Sequence, residues 1–507
     1  MSGQGSTWGG GYVTDVNYLP GWYRQQSPMH LAVTCLLLGV ACDLPAGEED
    51  VHYLELGCGL GFGAMTLAAS NPSWRITAID FNPSHIAQAR AIAQDAGLRN
   101  IAFLEADLTN FTETEEGRRL PQADFVSMHG VWSWVSPAVR EGILRLLRDK
   151  VRAGGVVHVS YNSLPGWQGA LGMQHLLLNA GDAAGGGSER RAAAGIELTR
   201  ELMEAGAVHL AGQGVIQQLM SGISKLPAEY LSHEFMNRAW APCFHSDVMD
   251  AFSTAKLDWV GSASLTENYS NLMLTDAQRA IYARAEGPRM RELIKDMCLP
   301  RPLRQDVFVR GVQRIPPRAR DAALNDLVLA LTTPIEDIVY EVEVASGKAS
   351  LSPDYYAPIL SALAEAPRSV RELMAPSVAA GRTSDPRELV GVLIGIGHVM
   401  PMLRPGLGPD TVAQRFNRIA ARWVGRPENQ THSFALASVA AGGGFPATIF
   451  DLVVNDRLQA GDDVGSLEQW IMMLHPDVTE EEIEPLRKIL RRAAEVRLPL
   501  MRVAGVV

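Results

Sequence analysis

The stretch of sequence that decides the fold is Glu55-Leu56-Gly57-Cys58-Gly59-Leu60-Gly61-Phe62-Gly63. It overlaps a short apolar run over residues 51–56, and an apolar run that stops at a glycine is typical of a buried strand. Glycines directly after such a strand allow a sharp turn, positive φ angles and the close approach of a ligand to bare backbone. The stretch therefore predicts a strand, a glycine turn and a helix that together form a ligand-binding corner.

Predicted strands and helices alternate after this corner. Short apolar runs predict the strands, and segments with helical periodicity separate most of them. The later strands are expected at residues 75–80, 101–104, 123–129 and 156–161, and the helices at residues 64–70, 83–97 and 139–151. Alternation of this kind predicts an α/β fold with a doubly wound, Rossmann-like parallel sheet.

The alternation stops after residue 166, so the chain is predicted to contain additional segments. Residues 257–265 and 306–312 return to strand patterns, and residues 385–403 resemble part of a winged-helix module. The five expected segments are an N-terminal lid segment (1–45), a cofactor-binding core (46–166), a helical insert that acts as a regulatory or substrate lid (167–256), strands that complete the sheet (257–315) and a largely helical C-terminal domain (316–507). We expect the insert to cover the open ends of the parallel strands and to exclude water there.

Composition narrows the class of protein. The chain has 507 residues, is 47% hydrophobic and has a net charge of −11, which predicts several folded domains and argues against a protein that wraps nucleic acid. The apolar run over residues 31–42 is too short to span a bilayer, and no secretory signal is recognisable. The five cysteines form no CxxC pair, so neither a disulfide framework nor a metal site is expected. We expect a cytoplasmic protein without a membrane span.

Acidic residues stand at the ends of three predicted strands. Glu55 at the end of the first strand would repel a pyrophosphate and attract a cationic ligand. Asp80, which ends the second strand, can accept hydrogen bonds from both hydroxyls of a ribose. Asp107 follows the third strand and can accept from an adenine amino group. A ligand with a positive end, a ribose and an adenine is S-adenosyl-L-methionine.

A nicotinamide dinucleotide is the alternative ligand for the glycine turn. The residues Gly59-x-Gly61-x-x-Ala64 formally fit the GxGxxA fingerprint. The turn should begin at Gly57, however, and counting from there puts Phe62 at the third fingerprint position. Because the acid at the end of the first strand also disfavours a pyrophosphate, the sequence favours S-adenosylmethionine.

The stretch over residues 50–160 resembles the class I S-adenosylmethionine-dependent methyltransferases. A narrower resemblance, over about residues 20–320, is to bacterial methyltransferases that carry a methyltransferase regulatory domain, a group that includes the outer-membrane-protein lysine methyltransferases of rickettsiae. The motifs that carry the narrower resemblance lie at residues 129–135, 161–167, 230–235 and 242–244. For the cofactor site, the residues and the resemblance together predict Glu55, Gly57, Cys58, Gly59, Gly61, Asp80, Phe81, Asp107, Leu108 and His129.

The methyl acceptor would lie beyond the fourth strand. Trp132 and Trp134 could form an aromatic wall around a cation, with ordinary core packing as the equal alternative. The further residues predicted to contact the acceptor are Asn162, Tyr230 and His233. A phenol or hydroxyl acceptor would need a base, and His129 and Tyr161 are the candidates for this catalytic role.

The predicted function is methyl transfer from S-adenosylmethionine to a protein lysine side chain. A small-molecule O- or N-methyltransferase stays open, as does a module that binds S-adenosylmethionine without turnover. The expected partner is therefore a protein or small-molecule methyl acceptor, and a homodimer is left open. His233-Glu234 does not indicate a metalloprotease, because Asn237 occupies the position of the second histidine in HExxH.

Overall fold

The computed structural model describes residues 11–16, 19–42, 51–223, 226–379, 385–424, 433–466, 469–470, 472 and 479–507. Within the predicted N-terminal lid segment, residues 1–10, 17–18 and 43–45 lie outside the described residues. In the described ranges, every helix is either too short or too polar to span a bilayer.

Seven strands form the central sheet: β1 (His52–Leu56), β2 (Arg75–Asp80), β3 (Ile101–Glu105), β4 (Ala123–Met128), β5 (Val151–Asn162), β6 (Leu257–Ser262) and β7 (Leu303–Arg310). Their spatial order is β3-β2-β1-β4-β5-β7-β6. Strands β1 to β5 are parallel, and the order reverses between β1 and β4, the position at which open α/β sheets bind ligands. The predicted α/β fold with a doubly wound sheet is confirmed.

Strands β6 and β7 extend the sheet, and β7 differs from β1 to β5 in running antiparallel to both of its neighbours. It begins at Leu303, which pairs with Asn162 at the carboxyl end of β5. The chain therefore re-enters the sheet at the edge where the parallel strands end, and from there it can only run in the opposite direction. This places the start of β7 on the same side of the sheet as the glycine turn.

Helices flank the sheet and form most of the insert. Those of the first half of the chain are α1 (Pro28–Leu37), α2 (Phe62–Ser70), α3 (Pro83–Ala96), α4 (Glu115–Arg119), α5 (Pro137–Lys150), α6 (Leu171–Ala184), α7 (Ser188–Glu204), α8 (Val208–Ala211), α9 (Gly214–Ile223), α10 (Ala228–Phe235) and α11 (His245–Ser253). The bounds of α3 follow from its capping residues. The Asn82 side chain accepts a hydrogen bond from Ser84 N, and Gly97 ends the helix with a φ of 71°.

The second half of the chain is largely helical, with short strands. Its helices are α12 (Ser270–Met273), α13 (Asp276–Arg284), α14 (Gly287–Cys298), α15 (Pro317–Asp326), α16 (Pro353–Glu365), α17 (Val370–Leu373), α18 (Pro386–Gly395), α19 (Thr411–Val424), α20 (Ile449–Gln459), α21 (Glu480–Arg492) and α22 (Leu498–Val503). Its further strands are β8 (Val328–Leu331), β9 (Glu341–Val344), β10 (Gly347–Ser350), β11 (Arg368–Ser369), β12 (Val399–Met402), β13 (Phe434–Ser438) and β14 (Gly443–Ala447). Helices α12 to α14 lie between β6 and β7, so the segment expected to supply strands also contains helices.

Helices α16 to α18 pack with a small antiparallel sheet of order β11-β8-β12, which is the part of the chain that resembles a winged-helix module. Helix α18 is covered by the segment after β6. A Cβ atom at Gly391 would lie 1.7 Å from Tyr269 Oη, and one at Gly395 would lie 2.8 Å from Thr266 Cγ2. The face of α18 that carries these glycines is therefore in contact with protein.

The C-terminal domain packs directly behind the helix that follows the glycine turn. The Phe62 ring at the start of α2 lies 6.0 Å from the Phe416 ring on α19 and 5.7 Å from the Phe434 ring on β13, measured between centroids. Residues from both regions belong to one continuous hydrophobic core. The C-terminal domain thus helps to fix the helix on which the ligand-binding corner is built.

Charged side chains form a buried cluster beside β7. Arg304 is inaccessible to solvent and donates hydrogen bonds to Asp296 (2.8 Å), Glu292 (2.9 Å) and Asp306 (2.9 Å). Burying charges is unfavourable unless each one is paired, and all three carboxylates accept hydrogen bonds from this guanidinium group, although Glu292 and Asp296 also pair with other cations. Arg304 is therefore essential to the packing of α14 against the sheet.

We expect the Arg304→Met variant to lose about 3–5 kcal/mol of folding stability, because it leaves three buried carboxylates with fewer partners. Urea denaturation followed by tryptophan fluorescence measures the loss. The control is Arg119→Met, which removes an ion pair whose side chains are 78% and 69% exposed and should change stability by less than about 1 kcal/mol. Equal effects of the two variants would contradict this account of the cluster.

Candidate functional site

A cavity of about 720 Å³ lies at the edge of the sheet where β1, β2 and β4 end. Its size is in the range of small-molecule sites. The glycine turn forms its floor, the N-terminal segment crosses it, and residues of the insert form the far wall. The ten residues predicted for the cofactor site all line this one cavity: Glu55, Gly57, Cys58, Gly59, Gly61, Asp80, Phe81, Asp107, Leu108 and His129.

The three glycines of the turn have positive φ angles of 70°, 54° and 72°, which side chains strongly disfavour. A Cβ atom at Gly57 would lie 2.4 Å from Val131 Cγ2, and one at Gly61 would lie 2.4 Å from Phe103 Cε1. At Gly59 no atom lies within 4 Å of that position. Packing therefore requires glycine at Gly57 and Gly61, whereas the backbone of Gly59 is open to a ligand.

Glu55 is a buried carboxyl group with one engaged and one unengaged oxygen. Its Oε1 accepts a hydrogen bond from Gln26 Nε2 at 3.1 Å, and its Oε2 has no hydrogen-bond partner among the described residues. Burial raises the pKa of Glu55 to about 7. A buried oxygen without a donor fits a cationic group, and the ammonium of S-adenosylmethionine would supply both the charge and the donor.

Asp80 holds the turn and faces the cavity. Its Oδ2 accepts a hydrogen bond from Gly59 N at 2.8 Å, and its Oδ1 accepts one from Asn82 N at 2.9 Å. His85 Nδ1 also lies 3.3 Å from Oδ1, so Oδ2, with Gly59 N as its donor among the described residues, has the more open position for a ribose hydroxyl, and a second hydroxyl would share Oδ1 with these partners. At the adjoining end of the cavity, the Tyr12 and Phe81 rings lie 5.8 Å apart and offer apolar surface for a flat base.

His129 is held between two rings at the end of β4. Tyr23 stacks on it with centroids 4.0 Å apart, and His158 lies parallel to it at 6.0 Å. Burial lowers the pKa of His129 to about 4, so the imidazole is neutral at physiological pH. A group with so low a pKa is a weak proton acceptor, and His129 serves better as a wall of the cavity than as a base.

The structure does not bring Tyr161 to the cavity, which corrects its prediction as a catalytic candidate. Its side chain is fully buried, and its hydroxyl donates a hydrogen bond to Asp306 beside His245. Successive side chains of a strand point to opposite faces, so the neighbours Ser160 and Asn162 line the cavity while Tyr161 points away from it.

The predicted aromatic pair is also divided. Trp132 is 3% exposed and packs edge-on against Phe252 in the core, with ring centroids 5.1 Å apart. Trp134 lines the cavity. Residues 132–134 form a short helical turn, and the two rings point in different directions from it. Trp132 is therefore a core residue, whereas Trp134 is available to contact a ligand in the cavity.

The residues predicted to contact the acceptor lie together at the end of the cavity formed by the insert. Asn162, Tyr230 and His233 all line it. The Asn162 side chain is oriented by two donors, Ser133 Oγ and Trp240 Nε1, each 3.1 Å from its Oδ1. The amide group is therefore held in one orientation at the carboxyl end of β5.

Further residues of the cavity were not predicted from the sequence: Gln26, Tyr23, Trp167 and Glu234. Burial raises the pKa of Glu234 to about 7, although a hydrogen bond with Tyr230 opposes this rise. Trp167 and Glu234 belong to the motifs that carry the narrower resemblance, and this was the available signal for them. In the described part of the chain, no cluster of three His, Cys, Asp or Glu side chains is arranged to hold a metal ion.

Comparisons with known proteins agree with this geometry. The family model "Methyltransferase domain" matches residues 54–157, and "Predicted methyltransferase regulatory domain" matches residues 227–310. The protein sll1526 of Synechocystis sp. is 33% identical over 396 residues, which cover 78% of this chain and 77% of the relative. The protein RP789 of Rickettsia prowazekii is 23% identical over 249 residues, which cover 49% of this chain and 43% of the relative.

A solved structure shares the fold along nearly the whole chain. PKMT2 from Rickettsia typhi, solved also in complex with AdoHcy, superposes with a TM-score of 0.68 at 16% identity. The superposition covers 96% of this chain and 99% of that chain. The arrangement of sheet, insert and C-terminal domain is therefore common to both proteins.

We expect the Asp80→Ala variant to bind S-adenosylmethionine and S-adenosylhomocysteine about 1–3 kcal/mol more weakly, because two ribose hydroxyls lose a charged acceptor. Isothermal titration calorimetry measures the affinity. Asp149→Ala, which removes an exposed carboxylate on α5, is the matched control and should bind as the wild type does. Unchanged affinity of Asp80→Ala would contradict the ribose assignment, and tighter binding of NAD would support a dehydrogenase.

The pKa of Glu55 gives a second prediction. Below about pH 7 its carboxyl group is protonated in the free protein, and an ammonium ligand needs the carboxylate. S-adenosylhomocysteine affinity should therefore fall as the pH is lowered from 7 to 6, with release of a proton on binding. Calorimetry in two buffers of different ionisation enthalpy detects that proton. Glu55→Gln should bind more weakly and lose this pH dependence; a pH dependence that persists in the variant would rule Glu55 out as its source.

Proposed function

Because the chain belongs to the S-adenosylmethionine-dependent methyltransferases that carry a methyltransferase regulatory domain, we propose that it methylates the side-chain amine of protein lysine residues. The observation that carries this proposal is the surroundings of Glu234. Its carboxyl group lines the cavity together with the rings of Trp134, Trp167 and Tyr230. Aromatic rings and a carboxylate that line one cavity suit an alkyl chain that ends in a cation.

The two ends of the cavity are lined by different residues, one set suited to the cofactor and the other to the methyl acceptor. The glycine turn, Glu55 and Asp80 lie at one end, and Glu234 and the aromatic rings lie at the end formed by the insert. When bound, S-adenosylmethionine supplies an electrophilic methyl group. The stacked rings of Tyr23 and His129, which line the cofactor end, narrow the space through which an acceptor amine can approach the methyl group. Such positioning is the main contribution that an enzyme makes to a displacement reaction.

Glu234 has the properties of a group that prepares the amine. A lysine amine attacks only after losing its proton, and a base is most effective when its pKa lies near the working pH. With a pKa of about 7, Glu234 can accept a hydrogen bond from the amine and take up the proton. The neighbouring Tyr230 shares a hydrogen bond with this carboxyl group, and burial raises the pKa of its phenol, so Tyr230 stays neutral.

Two further considerations support a protein as the acceptor. The motifs at residues 129–135, 161–167 and 230–235 resemble those of lysine methylators, and the similar structure is named PKMT2. At the start of β7, Leu303 also lines the cavity and is 40% exposed. An exposed apolar side chain at that edge suits contact with a polypeptide.

The substrate class can be tested directly. The purified protein is incubated with radiolabelled S-adenosylmethionine and a bacterial lysate, which is then separated into protein and small-molecule fractions. Label in protein, recovered as methyl-lysine after hydrolysis, would support the proposal. Label in a metabolite would support a small-molecule methyltransferase, and binding of S-adenosylhomocysteine without any transfer would support a non-catalytic module.

Variants separate the acceptor end from the cofactor end. We expect Glu234→Gln to lower kcat by about 10²-fold or more, because the amine loses its proton acceptor, while S-adenosylhomocysteine affinity changes less than about twofold. Trp134→Ala should raise the KM for the acceptor. The matched control is Glu197→Gln on α7 of the same insert, because this exposed side chain pairs with Arg200 at the surface. Full activity of Glu234→Gln would remove the proposed base.

A further inference from the structure

The N-terminal segment is fastened at both ends across the cofactor end of the cavity. We call residues 11–16 and 19–27 the strap. Residues of both parts line the cavity, among them Tyr12, Thr14, Gly21 and Tyr23. The first part is held by the insert: Asp15 accepts hydrogen bonds from Ser188 N (2.8 Å) and Ser188 Oγ (2.6 Å).

The second part of the strap is held by the C-terminal domain at Trp22. The Trp22 backbone nitrogen donates to Ser433 O at 2.8 Å, and Ser433 Oγ donates in return to Trp22 O. The indole ring lies on bare backbone of β14, because a Cβ atom at Gly444 would come within 2.6 Å of Trp22 Cε2. Trp22 is 4% exposed and belongs to the core that the C-terminal domain shares with the sheet.

Arg24 is a second anchor on the same domain. Its two terminal nitrogens donate to the carbonyl oxygens of Ile394 and Gly395, each at 2.8 Å. These carbonyls belong to the last turn of α18, where the usual donors four residues further on are missing; Ile394 O accepts in addition from Gly397 N at 3.1 Å. Both hydrogen bonds join residues more than 350 positions apart in sequence, so they connect the strap to the C-terminal domain.

Tyr23 and Gln26 alternate along the strap with the anchors Trp22 and Arg24. Their side chains point away from the C-terminal domain and into the cofactor end of the cavity. Tyr23 stacks on His129 at 4.0 Å. Gln26 donates from Nε2 to Glu55 Oε1 and to Ser127 Oγ, each at 3.1 Å. Gln26 occupies Oε1 of Glu55. The other oxygen, Oε2, has no partner among the described residues and is available to a ligand.

We propose that Trp22 and Arg24 are positioning residues through which the C-terminal domain completes the cofactor site. They hold the strap so that Gln26 orients the Glu55 carboxylate toward the ammonium of the cofactor and Tyr23 closes the cavity over His129. The C-terminal domain is thereby part of the cofactor-binding apparatus, although none of its side chains lines the cavity in the described residues. The inference concerns binding of the cofactor, so it holds whichever acceptor is methylated.

The test measures S-adenosylhomocysteine binding by calorimetry in the full-length protein, without any acceptor. Arg24→Ala should raise the Kd about tenfold. Arg24→Lys, which can still donate to the helix carbonyls, should recover part of the affinity. The control is Arg314→Ala: Arg314 donates to Leu38 O at 3.0 Å beside the end of α1 and does not touch the strap, so its loss should leave the Kd unchanged. Circular dichroism establishes that each variant is folded at the temperature used.

A double-mutant cycle with Glu55→Gln separates positioning from general support of the fold. If Arg24 acts through Gln26 and Glu55, Arg24→Ala should weaken binding markedly in the wild-type background and much less in the Glu55→Gln background. Equal weakening in both backgrounds would show that Arg24 only supports the fold and would overturn the proposal. So would an unchanged Kd in Arg24→Ala. Trp22→Phe is an independent variant for the same cycle: weakening that depends on Glu55 would support the proposal, and equal weakening in both backgrounds would contradict it.

Discussion

The whole site depends on a turn that has no room for side chains. At Gly57 and Gly61 the nearest atoms of Val131 and Phe103 would lie 2.4 Å from an added Cβ, so the backbone is fixed by its surroundings as well as by its φ angles. Asp80 completes this fixation by accepting a hydrogen bond from Gly59 N. The same carboxylate that can bind a ribose therefore also holds the backbone beneath it.

The cofactor end of the cavity could be predicted from sequence because its parts are local. Glu55 and Asp80 lie at the ends of their strands, and Asp107 lies just after one. Parallel strands bring these ends to one edge of the sheet. The same logic would have excluded Tyr161, since alternation along β5 places it on the face opposite Asn162. Trp132 and Trp134 were harder, because the direction of a ring within a single helical turn depends on what packs against it, here Phe252.

The acceptor end required three-dimensional information. Glu234 and Trp167 lie on the insert and line the same cavity as the glycine turn only because the chain folds back over the sheet. The direction of β7 has the same origin: nothing in its composition indicates an antiparallel strand, whereas its start beside Asn162 determines it. The Arg304 cluster follows from this, since an antiparallel β7 places its charges beneath α14, where each must find a partner inside the protein.

The strap has a consequence for the order in which the protein matures on the ribosome. Trp22 is synthesised before its partner Ser433, which follows 411 positions later. At about 5–20 residues per second, translation leaves the strap without its anchor for roughly 20–80 s. During this interval the glycine turn and Asp80 have already been made, and the corner they form lacks its cover. Synthesis of the C-terminal domain is thus also the step that covers the cavity, and a chain that terminates before Ser433 would carry an open nucleoside site.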